Sequence, residues 1–215
     1  MNVGIVLAGG VGRRFGGNVP KQYQTINGKE VIYYSINALT NSSSVDKIVV
    51  VAQNEYANGI KEINPNVEIV EGGDTRNKSL YNALRFIKDN YPCEKVIILE
   101  AARPMITSEI VDDYLERLDR ADAVITGQKI VASLGCYHMH TVNREDYYLI
   151  EAPEAFRFDL LFDNFDKDSK TITATNQHLP ADSKLDINFD FANNLKITYF
   201  PDLKYCENLM NENEL

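Results

Sequence analysis

Cysteine is scarce in this sequence. Cys93, Cys136 and Cys206 are scattered and include no CxxC pair, so no disulfide framework is expected. Positive charge is short as well: 22 Lys and Arg stand against 31 Asp and Glu, a net charge of −9. A nucleic-acid binder normally shows a basic footprint, so that class is excluded and no nucleic-acid partner is expected. The same shortage means that any phosphate site must gather its positive charge locally. Long apolar runs are missing too. None approaches the ~20 residues needed to cross a bilayer, and Met1–Leu7 lacks the basic flank and length of a signal peptide. No membrane association is expected, and the reducing cytoplasm is the expected compartment.

What is present is an ordinary globular composition, 44% hydrophobic and 25% charged over 215 residues. Domains usually run ~100–200 residues, so 1–215 is expected to form one domain. Short apolar runs recur at Val3–Ala8, Lys47–Ala52, Val67–Val70, Lys95–Leu99 and Ala123–Thr126. Continuous apolar runs of this length fit strands buried on both faces, as in a parallel sheet. Between them, Ile32–Leu39, Ser79–Ile87 and Ser108–Leu118 carry apolar residues at helical spacing. This alternation predicts an α/β fold: a Rossmann-like layered sheet, mostly parallel, with right-handed crossovers.

After Gln128 the pattern changes. Cys136–Val142 and Tyr147–Ala152, separated by polar 143–146, predict a hairpin or β-arm inserted into the sheet. Phe156–Phe165 is expected to be helical and Lys167–Ser183 a loop. A late strand at Leu195–Tyr199 and a last helix from Pro201 to near Met210 are expected after it.

The feature richest in chemistry follows the first apolar run: Gly9, Gly10, Gly12, Gly16 and Gly17, with Arg13, Arg14 and Lys21 among them. Glycines let backbone amides approach anionic oxygens closely. Ligands in open α/β sheets bind at the carboxyl ends of strands. Three cations here, in an acidic protein, point to a phosphate site. The spacing does not fit GxxxxGK[ST], because Asn18-Val19 follow Gly17, nor GxGxxG, because Phe15 occupies the third glycine position.

These residues resemble the cytidylyltransferases that act on methylerythritol phosphate and on ribitol phosphate. That family opens with AxGxGxR followed by PKQ, as in Ala8–Arg14 and Pro20-Lys21-Gln22. Gly72–Ser79 is similar to its GGxxRxxS block and Ala101-Ala102-Arg103-Pro104 to its xxRP segment. His140–Arg144 and Ala152–Phe156 resemble its arm; Asn194–Thr198 with Asp202-Leu203 resembles its C-terminal signature. The matches run in one order over nearly the whole chain. Within the family, Leu7–Gly10, the Gly72–Asn77 block and Asn193–Thr198 lean toward the ribitol phosphate branch, while Ala101–Pro104 and Tyr23 look more like the methylerythritol branch.

The resemblance implies transfer of CMP from CTP to a small polyol or sugar phosphate, with release of pyrophosphate. The favoured acceptor is ribitol 5-phosphate-like. The alternatives are methylerythritol phosphate, or a non-catalytic nucleotide-binding relative. It implies Arg14, Lys21 and Lys196 as catalytic cations and Ala8, Gly9, Gly10, Gly12, Gly73, Arg76 and Ser79 as the nucleotide site. Arg144 and Ser133 would bind the acceptor, Arg144 from a neighbouring subunit through an interlocking arm at about 131–152. A homodimer is therefore implied. Mg2+ is the implied cofactor, at Glu100, where the family places an aspartate; Leu99 stands where His is common. Arg103 is expected to hold the loop after its strand. Two acceptor features depart from the family: only Ser133 offers a hydroxyl early in the arm, and Thr173-Ala174-Thr175-Asn176-Gln177 has no acid where TDE or TDA is frequent. The departures point to a shifted acceptor. His138 and His140 share a strand face, with no third ligand in view.

Overall fold

The computed structural model describes residues 1–10, 12, 14–17 and 19–213. Val11, Arg13 and Asn18 lie outside these, so Arg13, one of the three expected loop cations, is not placed.

The first strand, β1 (Asn2–Leu7), is followed by a small hairpin of β2 (Thr25–Ile26) and β3 (Lys29–Glu30). Asn27 and Gly28 turn that hairpin with φ of 48° and 76°, the left-handed pair that a two-residue turn requires. Then come α1 (Val31–Asn41), β4 (Lys47–Ala52), α2 (Ala57–Ile63), β5 (Glu68–Glu71), α3 (Arg76–Asn90) and β6 (Lys95–Glu100). The second half holds α4 (Ser108–Arg117), β7 (Ala123–Lys129), β8 (Tyr148–Arg157), α5 (Phe158–Asn164), β9 (Leu185–Asn188) and α6 (Pro201–Asn213).

Seven strands form one sheet in the order β5-β4-β1-β6-β8-β7-β9. Its first four strands run parallel, β8 is antiparallel to both neighbours, and β9 is parallel to β7. The mostly parallel α/β sheet expected from the strand–helix alternation is what the chain forms. Burial explains why. Val6, Val50, Ile97, Leu99 and Val124 pack on α1, α2 and α4. The alternate residues Ile5, Val49, Val51, Val96 and Ile98 pack on α3 and α5 through Leu80, Leu84, Ile87 and Phe158. Strands covered on both faces need apolar residues at every position, the source of their continuous runs. A third cluster joins Phe15, Ile26, Val31, Ile197 and Cys206, and so ties α6 to the glycine-rich loop.

Four sequence expectations are corrected. Residues 136–142 form no strand and are exposed, Tyr137 fully so. Their alternating pattern has no sheet face to bury against within this chain, and β8 pairs with β7 instead. Leu195–Tyr199 is irregular: it crosses the end of the sheet, and Ile197 N donates to Ala102 O at 2.9 Å. Phe156 and Arg157 complete β8, Phe156 pairing with Val96 and Ala123, so the helix starts only at Phe158. The final helix runs on to Asn213. The short elements α2, β2, β3 and β9 escape a reading by period. β9, sequence Leu-Asp-Ile-Asn, is a short edge strand with mixed polarity, the usual defence of a sheet edge.

Candidate active site

The chain leaves β1 toward β4 and β5 on one side and returns to add β6 on the other. A strand order that reverses at β1 opens a crevice at the carboxyl ends of β1 and β6, where ligands bind in open α/β sheets. A cavity of about 700 Å³ lies there. Ala8, Gly9, Gly10, Gly12, Gly73, Arg76 and Ser79 all line it, together with Lys21, Glu100 and Lys196.

Local structure delivers each group. Gly12 has a φ of 62°, which turns the loop back over its own strand end. Lys21 begins a 3-10 turn that packs beneath the loop. Gln22 is buried and donates to Ala8 O at 2.6 Å and Gly10 O at 2.8 Å, clamping the glycine loop to the turn that carries Lys21. Gln22 belonged to the PKQ match but had no role there; only the folded loop shows it as a clamp. Gln53 also lines the cavity, and nothing in its sequence context marks it. On the opposite wall, Thr75 caps α3 by accepting from Lys78 N at 3.1 Å. A Cβ on Gly73 would lie 2.6 Å from Lys78 Cβ and 3.1 Å from Lys78 C, so only glycine fits. Ser79 Oγ accepts from Gly73 N at 3.0 Å and donates to Gly73 O at 3.2 Å, so its hydroxyl shapes the Gly73 turn.

The charges converge on Glu100, at the end of β6. Lys196 Nζ lies 2.7 Å from Glu100 Oε2, Arg103 Nε lies 3.3 Å from the same oxygen, and Arg76 Nε lies 3.8 Å from Oε1. Burial alone would raise the Glu100 carboxyl; the Lys196 and Arg103 charges outweigh it and hold the group at about 2. Lys21 donates to the carbonyl of Ile197, beside Lys196. Burial first, then the Lys196 ammonium, push Lys21 down to about 8, while Glu100 pulls the other way. Arg14 is exposed on the loop, close enough for its charge to depress Lys21 further. Arg103 holds the loop as expected, donating to Asn194 O and pairing with Glu151 at 3.2 Å.

Arg144 and Ser133 are not brought to this cavity within the chain. Both are exposed on the irregular segment 130–147, where Arg144 pairs with Glu145 at 3.0 Å and donates to Val131 O at 2.7 Å. His138 and His140 are exposed there too, and no cluster of three metal-ligating side chains exists among the described residues.

A loop of glycines, cations and one carboxylate at a strand-order reversal suits a phosphate ligand, and comparison with known proteins shows the family. The sequence model of the IspD family, 2-C-methyl-D-erythritol 4-phosphate cytidylyltransferase, matches residues 2–212. This chain belongs to the IspD family. The family is one of nucleotidyltransferases, as the motifs implied. A bifunctional enzyme IspD/IspF of Pelagibacter ubique is 34% identical over 207 residues, 94% of this chain and 55% of that one. The chain thus spans about half the length of that relative. A 2-C-methyl-D-erythritol 4-phosphate cytidylyltransferase of Thermotoga neapolitana is 33% identical over 167 residues, 75% of each chain. Among solved structures, 4-diphosphocytidyl-2C-methyl-D-erythritol synthase from Anaerococcus prevotii superposes with a TM-score of 0.83 at 24% identity, covering 98% and 96% of the two chains, and establishes the fold. The family model and the Thermotoga and Anaerococcus relatives carry the methylerythritol name, so the expected lean toward the ribitol phosphate branch is not supported and the methylerythritol alternative is better backed.

Proposed function

We propose that this chain transfers CMP from CTP to 2-C-methyl-D-erythritol 4-phosphate and releases pyrophosphate. The observation that carries this reading is the convergence of Lys196, Arg76 and Arg103 on Glu100, with Lys21 in the same cavity beside the glycine loop, in a chain of the IspD family. An oxygen of the acceptor phosphate attacks the α-phosphorus of CTP; the bond from that phosphorus to its bridging oxygen breaks, and the electrons leave with pyrophosphate. The nucleophile is already an anion, so no general base is required. The work is bringing two polyanions together and neutralising charge on the leaving group. Lys21 and Arg14 face the β- and γ-phosphates, Lys196 reaches the α-phosphate, and the Gly73–Ser79 wall takes the cytosine. Glu100 is ionised and lines the cavity, which suits a magnesium ion, since Mg2+ commonly takes one or two carboxylates and fills its shell with phosphates and water. Such an ion would supply further charge neutralisation on the phosphates.

The acceptor half is completed by a second copy. Arg144 and Ser133, exposed on the arm, reach the acceptor of a partner subunit in a homodimer of single-domain chains. The exposed apolar side chains Val131, Tyr137 and Met139 suit burial against that partner. The cytoplasm, which holds both nucleotide and phosphorylated substrate, is the proposed compartment.

Pyrophosphate release with CTP, Mg2+ and a panel of phosphorylated alcohols tests the reading. Turnover is expected with methylerythritol 4-phosphate, and with CTP over ATP, GTP and UTP. Selective turnover of ribitol 5-phosphate, or CTP binding with no turnover of any acceptor, overturns it. A second expected result follows from Lys21. It must be protonated to stabilise the leaving pyrophosphate, and in the free enzyme it loses its proton around pH 8. So kcat/KM should fall as pH rises through about 8. Bound CTP favours the ammonium, so the limb in kcat should lie at higher pH. A kcat/KM profile flat to pH 10 removes Lys21 from this role.

A further inference from the structure

The segment 173–177 contains no acid, yet a carboxylate stands against it. Glu154, on β8, is 2% exposed. Its Oε1 accepts from Thr175 Oγ1 at 2.7 Å and from Arg76 Nη2 at 3.2 Å. Its Oε2 accepts from the backbone N–H groups of Thr175 at 3.1 Å and Asn176 at 3.2 Å. Arg76 Nη2 also donates to Thr175 Oγ1 at 3.1 Å. Arg76 is thus stretched between two carboxylates, Glu154 behind it and Glu100 in the cavity, while its Nη1 is buried with no partner among the described residues.

The placement of Glu154 comes from an irregularity in the sheet. The β7–β8 register jumps from Ile125↔Glu154 to Thr126↔Glu151, leaving Ala152 and Pro153 unpaired. Their carbonyls are satisfied sideways, by Asn194 Nδ2 at 2.7 Å and Thr126 Oγ1 at 2.8 Å. Such bulges re-aim side chains. Here one strand hands a carboxylate to each of two arginines: Glu151 to Arg103 and Glu154 to Arg76. Both arginines in turn face Glu100.

We propose that Glu154 is a positioning residue for the nucleotide site: it holds Arg76 against the cavity wall and locks the turn at 175–178 to it. This rests on the reading of the site as a CTP site. Every group facing Glu154 is a donor, so both of its oxygens must accept. An amide cannot fully replace it, because its NH2 would meet either the Arg76 guanidinium or two backbone N–H groups, none of which can accept. Loss of the carboxylate, and with it a charge-assisted bond to Arg76, should weaken CTP by on the order of tenfold or more. A carboxylate thus meets the acid-free segment 173–177 from β8.

The test is a double-mutant cycle on the full chain, read as CTP affinity by calorimetry and as KM and kcat in the pyrophosphate assay. Glu154→Gln is expected to raise the CTP dissociation constant and KM roughly tenfold, with a smaller change in kcat. Arg76→Ala should weaken CTP at least as much, and the double variant should bind no worse than Arg76→Ala, because Glu154 acts through Arg76. Thr175→Val, which removes the 2.7 Å bond but keeps the buried charge, should raise KM for CTP several-fold, and it carries the test if Glu154→Gln fails to fold. Folded variants with wild-type CTP affinity, or losses that multiply in the double variant, overturn the proposal. A wild-type chain that neither binds nor turns over CTP sinks the nucleotide reading itself, a result the variants cannot mimic.

Discussion

Lys21→Ala is expected to lower turnover by about 10²–10³-fold, the usual effect of removing one well-placed electrostatic donor. Its place explains the size. Lys21 sits under the glycine loop and donates to Ile197 O, with Lys196, Arg14 and Arg103 all near enough to depress its pKa. A group held among like charges is costly until an anion arrives, and CTP brings several. The same physics makes a prediction about the fold. Lys21 is lowered from 10.5 to about 8. The unfolded chain therefore holds more protons at this site between pH 8 and 10.5, and stability rises with pH across that window. Below pH 8 the charged lysine opposes folding, so Lys21→Ala should melt no lower than wild type at pH 7. Catalytic loss with unchanged or raised Tm is the expected pair. Near-normal turnover, or a fall in Tm that accounts for the lost activity, would remove Lys21 from the catalytic site. Such opposition between stability and activity is common where like charges are gathered for a ligand.

Glu100→Gln should do the reverse and cost both. The carboxyl, 16% exposed, is held at about 2 against 4.5 in the unfolded chain. At 1.36 kcal/mol per pH unit this is on the order of 3 kcal/mol. The sign is that of a depressed acid: the contribution is fully present above about pH 4.5 and is lost as pH falls through about 2. Glutamine in this place leaves Lys196, Arg103 and Arg76 facing one another without a shared anion, and breaking a largely buried ion pair from one side costs about 3–5 kcal/mol. For a chain of this length a Tm lower by roughly 6–20 °C at pH 7 is expected. The gap between variant and wild type should close as both are titrated toward pH 2. Activity should fall too, since Lys196 loses its anchor and the cavity its ionised ligand. Glu100→Asp, which keeps the charge, should retain most of the stability. Equal melting of Glu100→Gln and wild type at pH 7 would show that the three cations do not depend on Glu100.

Much of this was legible in the sequence because it is local. Val3–Ala8 and Lys95–Leu99 read as buried strands since both faces of each are covered. The nucleotide-side residues Gly9, Gly12, Gly73 and Arg76 lie in short blocks whose glycines mark close backbone approach. Misreadings cluster where pattern and environment part company. Residues 136–142 alternate as a strand does but find no partner in their own chain. Leu195–Tyr199 is apolar because Ile197 buries against α6 and the glycine loop, not because it joins the sheet. The acid-free stretch at 173–177 suggested a changed acceptor; in the fold a carboxylate from β8, Glu154, meets that stretch at Thr175.

By itself, then, the sequence determined the strand–helix alternation, the glycine loop with its cations and the family. All three are properties of contiguous residues, set by period, steric freedom and motif order. The fold alone brings Arg76, Arg103 and Lys196 onto one carboxylate, sets Gln22 to clamp the loop, and uses a bulge in β8 to turn Glu154 toward Arg76. These contacts join residues far apart in the chain, and their distances follow from which strands pair and in what register. No local pattern carries that information, because it is fixed by the packing of the whole sheet between its two layers of helices.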